Sequence, residues 1–347
     1  MSTKSRPTQA DVAREAGVSQ ATVSAVLNNR LERAIPITEE TRKRVLEAVQ
    51  KLGYHPDARA QSLSRGRSDV IGLLIPDNLN PFFWDFARGV EDVAYENQCS
   101  IILTSTGLNA EREAHCLRLL NQRQTDGLIL LPIFRAQLLG ELRAARDRGR
   151  PVVLYGTDML EGVDVVLPDN YAGARALMAH LLALGHQRIA FIQAVATPEL
   201  GTARLRAYRH ALAEAGLPED PALIYTCRPT FEDAHAATLH LLALPDPPTA
   251  LFAINDYTAT AALQAVYQKG LRVPDDISLV GYDDIEQSRH LWPPLTTVAL
   301  DGAESGRIVT RLLFERLKRP SRPPQRIEVQ CRLVIRSSTA PPAGRNR

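Results

Sequence analysis

The sequence predicts an α/β protein with a small helical head and a larger body of parallel strands covered by helices. Three observations predict this: short amphipathic helical segments before residue 54, a change of pattern at Val70, and two later series of apolar strands alternating with helices. The chain has 347 residues, enough for two or three compact units. Its 45% hydrophobic and 23% charged residues are ordinary for a globular protein.

Residues 8–52 predict three helices. The boundaries are marked by a capping box of Thr8 and Asp11, by Ser19 before the second helix, by Thr38 before the third, and by Gly53 after it. The inward faces are predicted to carry Val12, Ala13 and Ala16, then Val23, Val26 and Leu27, then Val45, Leu46, Val49 and Leu52. The break at Gly17 is typical of a helix–turn–helix, although the spacing alone also allows a helical hairpin of another use.

Charge separates the head from the body. Up to Ser68 there are twelve Lys and Arg residues and seven Asp and Glu residues, a balance of 12 − 7 = +5. The whole chain carries +2, so the remainder carries 2 − 5 = −3. A basic head on a slightly acidic body is the pattern expected of a nucleic-acid-binding module.

The body predicts two doubly wound halves. The strands of the first half are Val70–Ile75, Ile101–Thr104, Gly127–Leu131 and Val152–Tyr155, and those of the second are Arg188–Ile192, Ala250–Ile254 and Ile277–Gly281. Nearly continuous apolar strands separated by helices indicate parallel sheets covered on both faces. A ligand is therefore expected at the carboxyl ends of the strands.

The remaining segments set the expected domain limits. Residues 1–54 form the head, 55–68 an Arg- and Ser-rich connection, and 69–336 the body, while the Pro-, Gly- and Arg-rich residues 337–347 predict a disordered tail. The N-terminus lacks the apolar core of a secretory signal, and no apolar run is long enough for a membrane span. The four cysteines have no paired spacing, so we expect buried thiols in the cytoplasm.

The sequence resembles the LacI family of transcription regulators over nearly the whole chain up to Arg336. The residues that carry the resemblance are Asp11–Ser19, Thr22–Ser24, Val26–Asn28, Thr41–Arg42, Leu52–Tyr54 and Pro56 in the head, then Leu184–His186, Asn255–Asp256, Ile277–Asp284 and Pro294–Val298 in the body. The resemblance implies a three-helix helix–turn–helix head, a hinge helix, and a two-lobed, periplasmic-binding-protein-like sensor.

The resemblance assigns DNA contacts to the second helix. It implies that base edges are read by Gln20, Ala21 and Ala25, and that phosphates are contacted by Ser19, Thr22, Ser24 and Asn28. The family often has Arg where Ala25 stands. Alanine cannot form the bidentate pair with guanine but can contact a thymine methyl group, so the resemblance does not specify the operator half-site. The connection 29–37 is also longer than is usual in the family.

The connection is similar to the family's hinge, which folds into a short helix in the minor groove on operator binding. The wedge residue is expected at Leu63, with Ala60 beside it. Asp57 and Gln61 depart from the usual Asn and Arg. The alternative for Leu63 is a linker residue that packs on the body.

The resemblance places an effector pocket between the two halves of the body. The expected contacts are Phe82, Phe83, Arg204, Asn255 and Asp283. Leu300 occupies a position where Gln is frequent, so one polar contact is expected to be missing. Taken singly, these residues also fit a core Phe, a surface Arg and a helix-capping Asn. A few polar groups over an aromatic floor favour a small polar ligand.

The sequence therefore predicts a homodimeric repressor in the cytoplasm, associated with the nucleoid, that binds a pseudo-palindromic operator and is released by a sugar or sugar derivative. No cofactor, metal or membrane partner is expected. The alternatives are a corepressor-dependent regulator of the same family and a sugar-binding transport component, which needs a signal peptide and no DNA head. An enzyme is disfavoured because the common catalytic motifs are absent. Asp283, Asp284 and Glu286 are too close in sequence to flank one glycosidic bond.

Overall fold

The computed structural model describes residues 7–27, 37–54, 67–122, 125–197 and 201–343. The chain divides into two compact units, Met1–Asp69 and Val70–Arg347. The first is helical where it is described, and the second alternates strands with helices. The division falls where the sequence pattern changes.

Three helices form the described part of the first unit: α1 (Gln9–Ala16), α2 (Gln20–Leu27) and α3 (Glu39–Leu52). The predicted capping box is confirmed, because the Asp11 N–H donates to Thr8 Oγ1 at 3.3 Å and the Thr8 N–H donates to Asp11 Oδ2 at 2.9 Å. Gly17 ends α1 and Gly53 ends α3 in the left-handed region, at φ 63° and 60°. Glycine adopts this conformation without a steric penalty.

The core of this unit joins all three helices. It contains the buried side chains of Val12, Ala13, Ala16, Val23, Val26, Val45 and Ala48. The prediction that Leu46 faces inward is wrong, since its side chain is 47% exposed. The inward face of α3 is set by Val45 and Ala48, three residues apart. Because successive helical residues are rotated by about 100° around the axis, Leu46, next to Val45, points away from that face.

The first lobe of the second unit is built on β1 (Val70–Ile75), β2 (Ser100–Ser105), β3 (Gly127–Leu130), β4 (Val152–Tyr155), β5 (Asp164–Pro168) and β11 (Arg326–Val329). These six strands form one parallel sheet in the order β11-β5-β4-β3-β1-β2. The helices of this lobe are α4 (Pro81–Glu96), α5 (Ala110–Gln122), α6 (Arg135–Asp147) and α11 (Gly302–Lys318).

The second lobe is built on β6 (Ile189–Ala194), β7 (Ile224–Cys227), β8 (Ala250–Ala253) and β9 (Ser278–Val280). They form a parallel sheet in the order β7-β6-β8-β9. Its helices are α7 (Asn170–Ala183), α8 (Thr202–Glu214), α9 (Phe231–Leu242) and α10 (Asp256–Gln268). A small antiparallel pair, β10 (Thr297–Ala299) with β12 (Arg332–Val334), lies beside it, and 3₁₀ turns occupy Pro221–Leu223 and Glu286–Arg289.

Within the described residues the chain passes between the lobes after β5, after β10 and after β11. All seven predicted strands are confirmed, with ends shifted by at most two residues. The sequence did not predict β5, β7, β10, β11 and β12. These are short. β11 alternates exposed charged residues with half-buried ones, and in β12 the exposed Arg332 is followed by two half-buried residues.

The prediction of a disordered tail after Arg336 is wrong for residues 337–343. Ser338 is buried, its carbonyl accepts from the Leu279 N–H at 2.9 Å, and its hydroxyl donates to the Leu279 carbonyl at 2.6 Å. Because β9 lies at the edge of the second sheet, its backbone groups need partners, and the tail supplies them. Composition alone does not report such long-range hydrogen bonds.

Two further expectations concern location and thiols. In the ranges that the structure describes, no helix is both long and apolar enough to cross a membrane. The expectation of buried thiols holds for Cys116, whereas Cys99, Cys227 and Cys331 are half-buried.

Helices α4 and α11 approach so closely that glycine is required at the contact. A Cβ atom at Gly306 would lie 2.1 Å from the Phe86 carbonyl oxygen, and one at Gly89 would lie 1.9 Å from the Ala303 carbonyl oxygen. Both clashes are with backbone atoms in a buried interface, so no side-chain rotation relieves them.

We therefore expect Gly306→Ala to lower the free energy of unfolding by about 1–3 kcal/mol or more, the usual cost of overpacking. The matched control is Gly140→Ala in α6, where a Cβ meets nothing within 4 Å. Alanine there should stabilise the helix by about 0.5–1 kcal/mol. Thermal unfolding of both variants measures the difference. If Gly306→Ala unfolded at the same temperature as Gly140→Ala, helices α4 and α11 would be able to move apart at no cost in stability.

Candidate DNA-reading helix and effector cleft

Helix α2 presents the predicted base-reading residues on the side opposite its core contacts. Gln20 and Ala21 are exposed and Ala25 is half-buried, while Val23 and Val26 pack into the head core. An eight-residue helix with two small side chains on its open face can lie close to the edges of base pairs.

Ser19 and Thr22 cap the start of this helix. The Thr22 N–H donates to Ser19 Oγ at 3.1 Å, and the two hydroxyl oxygens are 2.8 Å apart. The unpaired N–H groups and the dipole of a helix N-terminus favour an anion such as a phosphate. Ser24 is half-buried on the same helix. The arrangement is compatible with the phosphate-contacting role predicted for these residues.

Several predicted DNA contacts lie outside the described residues. These are Asn28, the hinge residues Ala60 and Leu63, and the departures at Asp57 and Gln61. Most of the longer connection, residues 29–36, lies there as well.

Asp283 lies where the two lobes of the body meet. It follows β9, and its N–H donates to the Val298 carbonyl at 2.8 Å, beside the crossing after β10. The carboxylate accepts from Asn80 Nδ2 of the first lobe at 3.1 Å and faces the Arg204 guanidinium of the second lobe at 3.5 Å. Asp283 therefore connects both lobes through one buried side chain.

Arg204, on α8, is held by three kinds of contact. Its guanidinium donates twice to Asn170 Oδ1, at 3.2 and 3.0 Å, and once to the Ile254 carbonyl. Its carbon Cζ lies 3.7 Å from the centre of the Tyr282 ring, a cation–π geometry. These contacts orient the guanidinium of the predicted arginine toward Asp283.

The other predicted contacts have structural partners. Phe82 is buried in the core of the first lobe, with its ring centre 5.5 Å from that of Phe83 and 6.4 Å from that of Tyr155. Phe83 is half-buried. Asn255 caps α10, because its Oδ1 accepts from the Thr258 N–H at 2.8 Å. The structure brings Asp283 and Arg204 together, and leaves Asn255 engaged as a cap.

Burial governs the electrostatics of the cleft. It raises the pKa of Asp283 to about 6, although Arg204 and Asn80 oppose the shift. Asp77, two residues after β1, also has a raised pKa because it is buried, while its Oδ1 accepts from the Leu79 and Asn80 N–H groups at 2.6 and 2.8 Å. A site with two buried carboxylates favours ligand groups that donate hydrogen bonds.

A second buried carboxylate in this lobe supports the turn that carries Asp283. Asp256, the first residue of α10, accepts from the Ile285 N–H at 3.0 Å, from Ser288 Oγ at 2.6 Å and from Thr297 Oγ1 at 2.6 Å. Burial, reinforced by the charge of Asp283, raises the pKa of Asp256 to about 7.

Sequence reasoning missed Asn80, Asp77 and Asn170 as members of this cleft. The signals were available in part: Asp77 follows a predicted strand, and Asn80 precedes a Pro-initiated helix that it caps. The contact between Asn80 and Asp283 joins residues 203 positions apart, which no local pattern reports.

The comparisons with known proteins agree with this architecture. The family model of bacterial regulatory proteins of the lacI family matches residues 8–57, and a periplasmic binding protein-like domain matches residues 178–339. The transcriptional repressor PurR of Aliivibrio salmonicida is 33% identical over 94% of this chain and 97% of its own length. The chain belongs to the LacI family. The ribose operon repressor of Haemophilus influenzae is 34% identical over 95% of this chain and 98% of its own.

Solved structures of LacI-family members confirm the fold class. The Lac repressor dimer bound to operator and the anti-inducer ONPF superimposes with a TM-score of 0.84 at 26% identity, covering 96% of this chain and 99% of that one. The complex of the regulator CelR with cellobiose gives a TM-score of 0.69 at 32% identity, covering 96% and 100%. The family consists of DNA-binding transcriptional regulators rather than enzymes, so the interpretation as a non-enzyme is confirmed.

Asp256→Asn is expected to change the pH dependence of stability. A carboxyl whose pKa is raised from 3.8 to about 7 binds more protons folded than unfolded, so its contribution to the free energy of unfolding falls as pH rises through that window. Asparagine does not titrate, so the melting temperature of the variant minus that of wild type should increase from pH 5 to pH 8.

The control is Asp275→Asn, which changes an exposed carboxylate of the same lobe. Thermal unfolding at several pH values measures both. A constant difference for Asp256→Asn would mean that this carboxyl titrates alike in both states.

Proposed function

We propose that this LacI-family protein is a transcriptional repressor that binds its operator through α2 and releases it when a small polar ligand enters the cleft at Asp283. The observation that carries the proposal is the placement of Asp283, buried between Asn80 of one lobe and Arg204 of the other. A ligand that bonds to these groups contacts both lobes at once, and thereby changes the free energy of closing the cleft.

A sugar or sugar derivative is the ligand that these groups fit best. Carboxylate, amide and guanidinium groups pair with hydroxyl groups, and the half-buried Phe83, which packs against Phe82, supplies an apolar surface. Two relatives of known structure carry sugars: CelR is in complex with cellobiose, and a regulator from Enterococcus faecium is bound to ribose. A corepressor is the alternative within the same family, and it is distinguished by the sign of the ligand's effect on operator affinity.

The protein is proposed to act as a homodimer on a pseudo-palindromic operator, at the nucleoid in the cytoplasm. A single head buries too little surface for tight binding, so two heads on a two-fold axis are required. The Lac repressor structure that this chain resembles is a dimer bound to operator.

The dimer surface is proposed to include a groove on the first lobe between α4 and the edge strand β2. The groove has a volume of about 640 Å³ and is lined in part by Trp84, Tyr95 and Ile101. Trp84 is 49% exposed and Tyr95 is 83% exposed. A second copy of this chain would cover both aromatic side chains and the open strand edge, each a liability in a monomer.

The effector cleft and the DNA-reading helix α2 are coupled only if the ligand binds one conformation of the protein more tightly than another. Couplings of this kind amount to about 1–3 kcal/mol, and operator DNA must then weaken ligand binding by the same factor. A ligand that releases the operator must therefore bind the conformation of low operator affinity more tightly.

Ala25→Arg is expected to change the preferred base at one position of each operator half-site. A bidentate contact to guanine would give a discrimination of about 1–3 kcal/mol, which alanine cannot provide. Selection of binding sites from random DNA by the wild type and the variant measures it. Arg14→Ala, an exposed change on α1, is the control and should leave the consensus unchanged. Identical consensus sequences for wild type and Ala25→Arg would remove residue 25 from the base-reading set.

Asp283→Ala is expected to leave operator affinity intact and to abolish release by the ligand, because the shared anchor of the lobes is lost. Operator affinity is titrated with a panel of mono- and disaccharides that begins with ribose and cellobiose. Asp275→Ala is the matched control and should respond as wild type does. Normal release of Asp283→Ala would contradict the pocket assignment, and loss of operator binding without ligand would show a structural role for Asp283 instead.

A further inference from the structure

We propose that Arg336–Ala340, called here the C-terminal clamp, is a positioning element that fixes Asp283 in the cleft. The sequence predicted no order after Arg336, and the role of Asp283 as the effector acid is itself part of the proposed function. The effect of the clamp on the response to ligand therefore rests on the proposed function, but its effect on the position of Asp283 can be tested without any ligand.

The turn that carries Asp283 has an unusual backbone. Asp283 has φ 108° and Asp284 has φ 54°, both in the region that favours glycine. Side chains other than glycine persist in this region only where surrounding contacts hold them. The turn therefore requires anchors, and the contacts around it show which residues supply them.

Arg336 anchors the turn through Asp284. Its Nη2 donates to Asp284 Oδ1 at 2.5 Å, and its Nη1 donates to the Leu295 carbonyl at 2.8 Å. The two side chains are 15% and 7% exposed, so solvent screens the pair weakly. Arg289 also approaches Asp284, but at 3.8 Å and with a side chain that is 55% exposed.

The next residues of the clamp attach it to the strand that leads into the turn. Ser338 exchanges two hydrogen bonds with Leu279, four residues before Asp283, and its Oγ accepts from the Thr296 N–H at 2.8 Å. The Arg336 N–H donates to Thr296 Oγ1 at 3.0 Å. One short segment thus joins β9 to the chain that runs into β10, the two backbones between which Asp283 lies.

The end of the clamp is held by polar groups inside the second lobe. The Ala340 N–H donates to Ser278 Oγ at 3.0 Å, and the Ala340 carbonyl lies 2.9 Å from His186 Nε2. Thr339 Oγ1 lies 2.9 Å from His180 Nε2. These contacts fix the path of the clamp, so the position of Arg336 does not depend on its ion pair alone.

Asp256 holds the opposite side of the same turn. It binds the Ile285 N–H and the Ser288 hydroxyl, both after the turn, whereas the clamp binds Asp284 and Leu279, within and before it. Removing the clamp should therefore release the turn from one side without unfolding the lobe. The Asp283 carboxylate would then leave the position between Asn80 and Arg204.

Hydrogen exchange of the full-length protein, read by mass spectrometry, tests the proposal in wild type, Arg336→Met and the control Arg332→Met. Arg332 is an exposed residue of β12, four positions before Arg336. In wild type the Gly281 N–H donates to the Thr296 carbonyl and the Asp283 N–H to the Val298 carbonyl. We expect exchange in residues 281–285 to be at least about tenfold faster in Arg336→Met and unchanged in Arg332→Met.

Peptides from β3, in the other lobe, report global stability. Acceleration there equal to that in residues 281–285 would overturn the proposal, since Arg336 would then only stabilise the whole unit. Unchanged exchange in residues 281–285 would overturn it as well. Ser338→Ala, which removes one hydroxyl group, should accelerate the same segment to a smaller degree.

Rescue and a double-mutant cycle separate positioning from simple packing. Arg336→Lys should restore part of the protection, because an ammonium group can reach one carboxylate oxygen, whereas Met cannot. Asp284→Asn combined with Arg336→Met should exchange no faster than Arg336→Met alone, and additive effects would contradict the pairing.

Operator affinity without ligand separates this proposal from the proposed function. Arg336→Met should bind operator within about twofold of wild type, and a larger loss would show that the clamp acts on the DNA-binding state instead. If Asp283→Ala releases operator normally while the exchange results hold, the effector role of Asp283 fails and the clamp stands.

Discussion

Burial of the Asp256 carboxylate constrains much of the second unit. A carboxylate in such a site needs hydrogen-bond donors, and here they come from the Ile285 N–H, the Ser288 hydroxyl and the Thr297 hydroxyl. Gly281 leaves the necessary space, because a Cβ atom there would lie 2.1 Å from Asp256 Oδ1. The start of α10, the turn after β9 and the strand β10 are therefore held around one side chain. The cleft depends on that arrangement.

The two lobes meet where this network ends. Asp283 receives Asn80 from the first lobe and Arg204 from the second, so the same carboxylate takes part in the internal order of one lobe and in its contact with the other. A ligand that replaces the Asn80 contact, or adds to it, acts on a group whose surroundings are already fixed. Preorganisation of this kind reduces the entropy lost on binding.

The parts of the fold that the sequence could predict are those with strong local periodicity. Val70–Ile75 and Val152–Tyr155 are apolar throughout, and their bounds agree with prediction. β11 pairs with β5 across some 160 residues and has half-exposed, alternating side chains, so no local pattern identifies it. The ordered position of Ser338 could not be predicted for the same reason, since its hydrogen-bond partners Leu279 and Thr296 are distant in sequence.

The candidate cleft likewise contains residues that could be predicted from the sequence and residues that could not. The resemblance to a family supplied Asp283 and Arg204, which the structure places together, but not Asn80, whose role arises only when the lobes fold against each other. Residue type is a limited guide for the other two residues, because burial in the core explains the presence of Phe82 and helix capping explains that of Asn255.

The close contact at Gly89 and Gly306 restrains helix α4, which connects the cleft to the proposed dimer surface. It is a rod of 16 residues, about 24 Å long, that begins at the cleft with Asn80 as its cap and carries Trp84 and Tyr95 on its outer face. Since its backbone touches that of α11, it cannot bend or slide independently of the crossing that precedes α11. On the proposed function, this one helix takes part both in the effector cleft, through Asn80, and in the dimer surface, through Trp84 and Tyr95. After a gene duplication, mutations on it that keep the two copies from pairing with each other would then also alter ligand binding, so the two properties should diverge together.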